Sequence, residues 1–312
     1  MTAAAVGGTS TTRAAAVLAS FIAQLGDLID GMNAATGQSE AALGAALAHL
    51  DRVPCPKINI LGNHELYNFN RKRCAERLNT APSGSEFYSM VPAAGFRVIV
   101  LDAYQESIIL PAGNGAESER RELSSSEQFQ RTLALLQANN PNDLRSNCDW
   151  SKGLTGDKRR FMPFNGGLGA KQLSWFRAEL TAAAAAREKV LVLSHVILHP
   201  RACDGTTMLY DYEAALDAIA AAGCVVGVLC GHDHRGGYHK DARGVHHLTF
   251  QSPLNKGADG HAYGLLAVHH DRFVVSSPAL ADFLPSAVFA NGTLPTPQTK
   301  PDGSQWIALP FA

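Results

Sequence analysis

The sequence predicts an α/β layered fold with mixed β-sheets. Apolar runs of strand length alternate with stretches whose apolar residues recur at helical spacing, as in residues 39–50. Several of the apolar runs end directly in glycine or serine followed by a polar or imidazole side chain. The last third of the chain instead holds short strand-like runs at residues 244–250, 264–269 and 273–276. The alternation favours parallel strands, and the antiparallel-looking end makes the sheets mixed.

The predicted elements follow one another with short connections over most of the chain. Strands are predicted at residues 21–25, 58–61, 96–101, 189–193 and 224–230, and helices at 39–50, 71–78, 127–138, 170–187 and 212–222. Ser124 and Glu127 are interpreted as a capping box that opens one of these helices. The polar section around it, residues 105–162, is long for a connection inside a compact domain, which is typical of a lid or substrate loop.

Composition limits the class of protein. The chain has 312 residues, 46% of them apolar, and a net charge of −1, which argues against binding to nucleic acid or to a membrane surface through bulk charge. No apolar stretch approaches the roughly 20 residues that span a bilayer. The six cysteines form no C-x-x-C pair, so a reducing compartment is expected. We also expect the protein to be cytoplasmic and monomeric.

We predict three segments along the chain. Residues 1–20 form a low-complexity segment, residues 21–284 form the catalytic domain, and residues 285–312 form a Pro-rich, extended tail. The first segment has Arg13 as its one charged side chain. Organelle targeting is one interpretation of that composition, and a lost or replaced amino-terminal region is another.

Side chains that can bind metal follow four of the apolar runs. They are Asp27, Asn63, His195, His232 and His234. Each stands directly after a strand, where open α/β folds place their ligands. Mixed nitrogen and oxygen ligands suit Mn, Fe, Zn or Co better than Ca. Two such ions about 3.5–4 Å apart can clamp a phosphoryl group for in-line attack. His64, beside Asn63, is better placed to meet substrate than metal.

The order of these motifs resembles that of the calcineurin-like metallophosphoesterases over roughly residues 24–276. Longer blocks that begin at Gly62, Phe164 and Gly231 are similar to those of the manganese-dependent ADP-ribose/CDP-alcohol diphosphatases. The resemblance implies a sandwich of two mixed β-sheets flanked by helices. It also implies two divalent metal ions, Mn²⁺ by expectation, and a small-molecule nucleotide substrate. The expected reaction is hydrolysis of the pyrophosphate bond of ADP-ribose, CDP-choline and related compounds.

The resemblance also implies roles for single residues. Asp27 would bridge both metals, Asn63, His195 and His232 would complete one metal site, and His234 would bind the other metal. His64 would contact the phosphate and assist the leaving group. Four aromatic residues are candidate walls for a nucleobase or ribose, with core packing as the alternative for each: Tyr67, Phe69, Phe164 and Tyr238.

One departure from the family pattern affects the second metal. The family carries an Asp-x-(Gln/His) motif on a first strand, and no acidic residue precedes Asp27 here, so we expect that first strand to be missing. Asp27 and His234 would then be the protein ligands left at that position, fewer than the three of most catalytic sites. Two alternatives therefore stay open: a metallophosphoesterase acting on phosphomonoesters or phosphodiesters, and a truncated, impaired homologue that binds one metal.

Overall fold

The computed structural model describes residues 2–5, 19–82, 84–112, 117–146, 148–255, 263–285 and 294–312, and for residues 2–5 the backbone alone. Most of the predicted low-complexity segment therefore lies outside the described residues. Among the helices that are described, none combines the length and apolar character needed to cross a bilayer.

Strands and helices alternate through the middle of the chain. The strands are β1 (Thr2–Ala5), β2 (Phe21–Gln24), β3 (Lys57–Asn59), β4 (Tyr88–Ala93), β5 (Phe96–Val100), β6 (Lys189–Leu193), β7 (Val225–Cys230), β8 (Gly237–Lys240), β9 (His246–Thr249), β10 (Leu265–Val268), β11 (Arg272–Ser277), β12 (Gln298–Thr299) and β13 (Gln305–Pro310). The α-helices are α1 (Met32–Thr36), α2 (Ser39–Leu50), α3 (Asn63–Asn68), α4 (Arg71–Leu78), α5 (Glu117–Ser125), α6 (Glu127–Asn139), α7 (Gly169–Ala185), α8 (Tyr212–Ala222) and α9 (Leu280–Phe283).

The strands form two mixed sheets. One sheet has seven strands in the order β12-β13-β11-β10-β1-β2-β3, and the other has six in the order β4-β5-β6-β7-β9-β8. Strands β5, β6, β7 and β9 are parallel neighbours, whereas β4 and β8 pair antiparallel at the two edges. In the first sheet β2 and β3 are parallel. The predicted α/β class with mixed sheets is therefore confirmed.

The pleat of the central strands separates two apolar cores. Along β6, Val190 and Val192 contribute to a core shared with the helices, and Leu191 and Leu193 contribute to a core shared with the other sheet. Successive side chains of a strand point to opposite faces, so a strand covered on both faces is apolar throughout. The continuous apolar run KVLVL thus indicates a strand that is buried on both faces.

The long polar section differs from its prediction in one respect. It contains α5 as well as α6, so Ser124 lies inside a helix and cannot be the predicted cap. The cap of α6 is Ser126, whose hydroxyl oxygen accepts a hydrogen bond from the Phe129 backbone nitrogen. In α5 no residue is buried, which explains why apolar periodicity gave no signal for it.

Both chain ends contribute strands to the seven-stranded sheet. A short strand, β1, does precede β2 and pairs with β2 and β10, but its sequence Thr-Ala-Ala-Ala has no acidic, amide or imidazole side chain. It therefore supplies none of the ligands expected from a first strand. Strand β13 pairs with β11 along six residues and buries Ile307 and Leu309. The domain boundary at residue 284 stays a prediction.

Candidate metal centre

Four strand ends, two from each sheet, converge on one point. Gly26 and Asp27 follow β2, and Asn63 opens α3 just after β3. His195 follows β6, and His232 follows β7. Because β2 and β3 are parallel neighbours, as are β6 and β7, each pair of side chains leaves its sheet at one edge. The sequence places these ligands at strand ends, and the sandwich brings the two edges together.

The predicted ligands of one metal are in mutual contact. Nε2 of His195 lies 3.3 Å from Oδ2 of Asp27, 3.2 Å from Oδ1 of Asn63 and 3.0 Å from Nδ1 of His232. In the described part of the chain, Asp27, His195 and His232 form a group of ligand atoms that all lie within 4.8 Å of one another. The arrangement has the size of a single coordination sphere.

The chemistry of these atoms fits a cation. Nδ1 of His195 donates a hydrogen bond to the Leu25 carbonyl oxygen at 2.6 Å, so Nε2 presents a lone pair to the centre. Oδ1 of Asn63 accepts a hydrogen bond from the Tyr104 hydroxyl at 3.3 Å and also faces Nε2 of His195. With His195 in its neutral form, carboxylate oxygen, amide oxygen and imidazole nitrogen face one another without a hydrogen between them. A divalent metal of the borderline class satisfies such a set.

The backbone at the centre is strained and closely packed. Asp27 and His232 have φ of +55° and +67°, and Gly26, before Asp27, has φ of +95°. A Cβ on Gly26 would stand 2.2 Å from Nδ1 of His195. A Cβ on Gly62 would stand 2.1 Å from Oδ1 of Asp27. Both glycines are therefore required by space, and strain of this kind is characteristic of functional sites.

A buried carboxylate, Glu65, holds the Asp27 loop. Its Oε2 accepts hydrogen bonds from the backbone nitrogens of Asp27 at 2.8 Å and Gly62 at 2.7 Å, and its Oε1 accepts one from Leu28 at 2.6 Å. Burial and the charge of Asp27 raise the pKa of Glu65 to about 7. Glu65 therefore fixes the loop after β2 against the loop after β3. Its position in the Gly-Asn-His-Glu motif was visible in the sequence, but its partners were not.

The charges at the centre shift one another's pKa. Burial alone would raise the pKa of Asp27, but His195, His64 and His232 outweigh it and hold that pKa well below its usual range. Burial opposes protonation of His195, and the Asp27 charge more than offsets it, so the pKa of His195 is raised. Burial, reinforced by His195, lowers the pKa of His232 well below its usual value. Asp27 is thus ionised and His232 neutral near pH 7, whereas a metal ion would have to displace the proton that the raised pKa of His195 favours.

His64 is held beside the centre with one nitrogen free to donate. Its backbone nitrogen donates to Oδ1 of Asp27 at 2.9 Å. Its Nδ1 accepts a hydrogen bond from the Gly31 backbone nitrogen at 2.7 Å, so Nε2 carries the hydrogen. The ring tilts against Tyr67 with centroids 5.6 Å apart. The side chain is 24% exposed, which leaves it accessible to a ligand.

The second predicted metal position is more open. His234 is exposed and lines, together with Asp27, His195 and His232, a cavity of about 400 Å³. It lies outside the compact group formed by those three residues. In the described residues the predicted protein ligands at this position are Asp27 and His234.

The four predicted aromatic walls fall into two groups. Phe164 packs against His232 with centroids 5.7 Å apart, and Tyr67 is hydrogen-bonded to Asn63, so both lie at the centre. Phe69 is buried and lines a second cavity of about 370 Å³. Tyr238 is 2% exposed in the core between the sheets, where its hydroxyl contacts His246 at 3.0 Å. The burial of Tyr238 matches the core-packing alternative.

Two further residues contact the centre, although the sequence did not predict a role for them. Trp150, from the long polar section, packs on Phe164 with centroids 6.2 Å apart. Tyr104 is fully buried and contacts Asn63 through its hydroxyl. Trp150 follows no motif with a recognisable spacing, and Tyr104 ends a Leu-Asp-Ala-Tyr block that suggested no role, so only the fold shows that they reach the predicted metal ligands.

Comparison with known proteins agrees with this geometry. The family model described as calcineurin-like phosphoesterase matches residues 17–236. A protein of Xenopus laevis named manganese-dependent ADP-ribose/CDP-alcohol diphosphatase is 33% identical over 283 residues, covering 84% of this chain and 75% of that protein. The human protein of the same name is 32% identical over 269 residues, covering 81% of this chain and 74% of that protein.

A solved structure is also similar. A dimetal phosphatase from Danio rerio superposes with a TM-score of 0.73 at 33% sequence identity, covering 82% of this chain and 80% of that one. Its description names two metals, in agreement with the metal chemistry expected from the sequence. These similarities extend over most of the chain and agree with the convergence of side chains at the strand ends. The chain therefore belongs to the calcineurin-like phosphoesterase family.

Proposed function

We propose that the chain is a manganese-dependent hydrolase that cleaves the pyrophosphate bond of ADP-ribose, CDP-choline and similar nucleoside diphosphate-linked compounds. The observation that carries the proposal is the convergence of Asp27, Asn63, His195 and His232 with their lone pairs toward one point. The names of the relatives supply the substrate class. Hydrolysis consumes one water and breaks one P–O bond of the bridge, giving a nucleoside monophosphate and a phosphorylated partner.

The residues divide between two metal positions. Asn63, His195 and His232 would hold one Mn²⁺ ion with Asp27, and His234 would hold the other with Asp27. The two oxygens of Asp27 have different neighbours, the His64 backbone nitrogen and the His195 ring, which suits a bridging carboxylate. When bound, the metal supplies Lewis acidity toward the phosphoryl oxygens and makes water a stronger nucleophile.

His64 would act on the substrate as a hydrogen-bond donor. Because its Nδ1 is occupied by the Gly31 N–H, the neutral ring offers its Nε2 hydrogen. That hydrogen would bind a phosphoryl or leaving oxygen and stabilise the charge that develops there. Phe164 and Tyr67 stand next to the metal ligands and would flank the nucleoside.

The test is turnover by the purified, Mn²⁺-loaded chain. We expect AMP from ADP-ribose or CMP from CDP-choline, with little product after chelation and recovery on adding Mn²⁺. The variant Asp27→Asn is the control, because it removes the bridging charge without changing the side chain's size. A folded, metal-loaded chain that hydrolyses neither compound contradicts the substrate assignment.

The open second metal position supports a second candidate, a chain that binds one metal and turns over slowly. In the described residues that position has two of its predicted protein ligands, Asp27 and His234. Metal analysis after loading separates the candidates, since the first predicts two Mn²⁺ per chain and the second predicts one. Turnover of p-nitrophenyl phosphate esters without turnover of ADP-ribose would favour a different phosphoesterase.

A further inference from the structure

Asn165 occupies a fixed position in the turn before α7. It is fully buried, and its backbone nitrogen donates to the Met162 carbonyl oxygen at 3.1 Å. Its Nδ2 donates to the carbonyl oxygens of Arg160 at 2.8 Å and Thr206 at 2.7 Å. Exchanging the two ends of the amide would place its oxygen against two carbonyl oxygens. The orientation of the Asn165 side chain is therefore determined, with Oδ1 on the opposite side.

That oxygen faces a metal ligand. Oδ1 of Asn165 lies 2.7 Å from Nε2 of His232. An amide oxygen accepts but cannot donate, so Nε2 of His232 must carry the hydrogen. Nδ1 of His232 is then the nitrogen with the free lone pair, and it is the nitrogen that faces His195 at 3.0 Å.

The local backbone does not by itself hold His232 in place. Its φ of +67° lies in the left-handed region, which residues with side chains rarely adopt. Contacts from elsewhere in the fold must therefore fix both the backbone and the ring. Phe164 packs against the ring, and Asn165 makes a hydrogen bond to it.

We propose that Asn165 is a positioning residue that determines which nitrogen of His232 is offered to the metal. It acts through His232 and connects the segment around Arg160 and the loop at Thr206 to the metal centre. This inference rests on the proposed metal role of His232, but it concerns the tautomer and the orientation of the ring and not the substrate. Hydrogen bonds of this kind fix the ring of a metal-binding histidine and raise its basicity.

Asn140 provides a matched control. It is 2% exposed, and its Nδ2 likewise donates to two carbonyl oxygens, those of Trp150 at 3.0 Å and Phe161 at 2.8 Å. Its Oδ1 accepts from Asn142 and contacts no metal ligand. Replacement of Asn140 thus removes a comparable pair of donated hydrogen bonds and none of the hydrogen bonds of His232.

The experiment measures Mn²⁺ binding to the metal-free full chain by titration calorimetry. We expect Asn165→Ala to weaken Mn²⁺ binding roughly 10- to 100-fold, and Asn140→Ala to bind as the parent chain does. Asn165→Asp keeps an acceptor for the Nε2 hydrogen but loses the two donated bonds. It should therefore bind Mn²⁺ more tightly than Asn165→Ala while melting at a lower temperature than the parent chain.

Three results would overturn the proposal: parental affinity in Asn165→Ala, equal weakening in Asn140→Ala, or no recovery in Asn165→Asp. A direct readout is ¹⁵N-histidine NMR of the metal-free parent chain, with His232 assigned from its His232→Gln variant. A hydrogen on Nδ1 of His232 would refute the proposal even if the alanine variant does not fold. Absence of ADP-ribose turnover together with normal Mn²⁺ binding would instead refute the proposed function and leave this inference intact.

Discussion

Replacing Gly62 by alanine should disable the metal centre through one added methyl group. The residue has φ −101° and ψ 174°, an extended conformation open to any residue, so the substitution introduces no backbone strain. The new Cβ would stand 2.1 Å from Oδ1 of Asp27, 2.4 Å from its backbone nitrogen and 2.8 Å from Oε2 of Glu65. The steric effect therefore acts on Asp27, the predicted bridging ligand, and on Glu65, the carboxylate that holds its loop.

The size of the effect follows from these distances. Ordinary contact begins at 3.4 Å, so Oδ1 of Asp27 must retreat by about 1.3 Å from its distance of 2.1 Å. Such a shift breaks the 2.9 Å hydrogen bond from the His64 backbone nitrogen. We expect Mn²⁺ affinity to fall by an amount near the upper end of the roughly 10- to 100-fold range for lost orienting contacts. Turnover at saturating metal should fall about 100-fold, as for a misplacement of about 1 Å.

The matched control is Gly44→Ala. Gly44 lies inside α2, and an added Cβ there meets nothing within 4 Å. This variant should gain about 0.5–1 kcal/mol in the free energy of unfolding and bind Mn²⁺ unchanged. Titration calorimetry and urea unfolding on both variants measure these effects. A folded Gly62→Ala chain with parental Mn²⁺ affinity and stoichiometry would show that the close approach of the two loops does not position Asp27.

Three further outcomes are expected. Gly31→Ala brings a Cβ to 2.8 Å from the Tyr67 ring and 3.4 Å from Nδ1 of His64. We therefore expect kcat to fall without loss of Mn²⁺ affinity, and weaker Mn²⁺ binding would contradict a role of His64 toward substrate alone. His64→Ala should lower kcat about 10²- to 10⁴-fold, and His64→Gln, which keeps an N–H near the place of Nε2, should recover part of it; equal losses would favour proton transfer over hydrogen bonding. Burial lowers the pKa of His199 to about 3 and lowers that of His247. Below pH 6.5 the unfolded chain protonates both histidines, whereas the folded chain keeps them neutral. The free energy of unfolding is therefore highest above pH 6.5 and falls as the pH is lowered toward 3. The free energy of unfolding should change by up to about 1.4 kcal/mol per pH unit through the buried His247, and by less through the half-exposed His199. If urea unfolding of His247→Phe gave the same dependence on pH as the parent chain, this account would be contradicted.

The elements that the sequence predicts well are those whose own residues carry the signal. The run at β6 was predicted with its observed bounds because both faces of that strand are buried. Strand β4 gave no such signal, because its side chains are only partly buried and Pro92 interrupts the run. Strand β8 was also not predicted, since it is a four-residue edge strand that ends in polar residues. Edge strands lack the apolar alternation on which such predictions depend.

The same distinction applies to the metal centre. His195 and His232 were visible because imidazoles after apolar strands are unusual. The orienting residues were not, because their partners lie far away in the chain. Glu65 binds backbone nitrogens 37 and 38 residues away, and Asn165 contacts a ring 67 residues away. Their roles depend on the distance between loops, which residue types and spacing do not contain.

The centre exists only when both sheets are assembled. Asp27 and Asn63 come from the seven-stranded sheet, and His195 and His232 come from the six-stranded one. The hydrogen bond from His195 to the Leu25 carbonyl oxygen crosses between the sheets at this point. Without a cation, the raised pKa of His195 favours a protonated ring that donates to Asp27, but two residues with side chains are still held at positive φ, which costs free energy. The apolar core between the sheets offsets that cost, because its packing does not depend on a metal. The fold therefore holds the four predicted ligands together before a metal binds, and a cation bound there would replace the proton of His195.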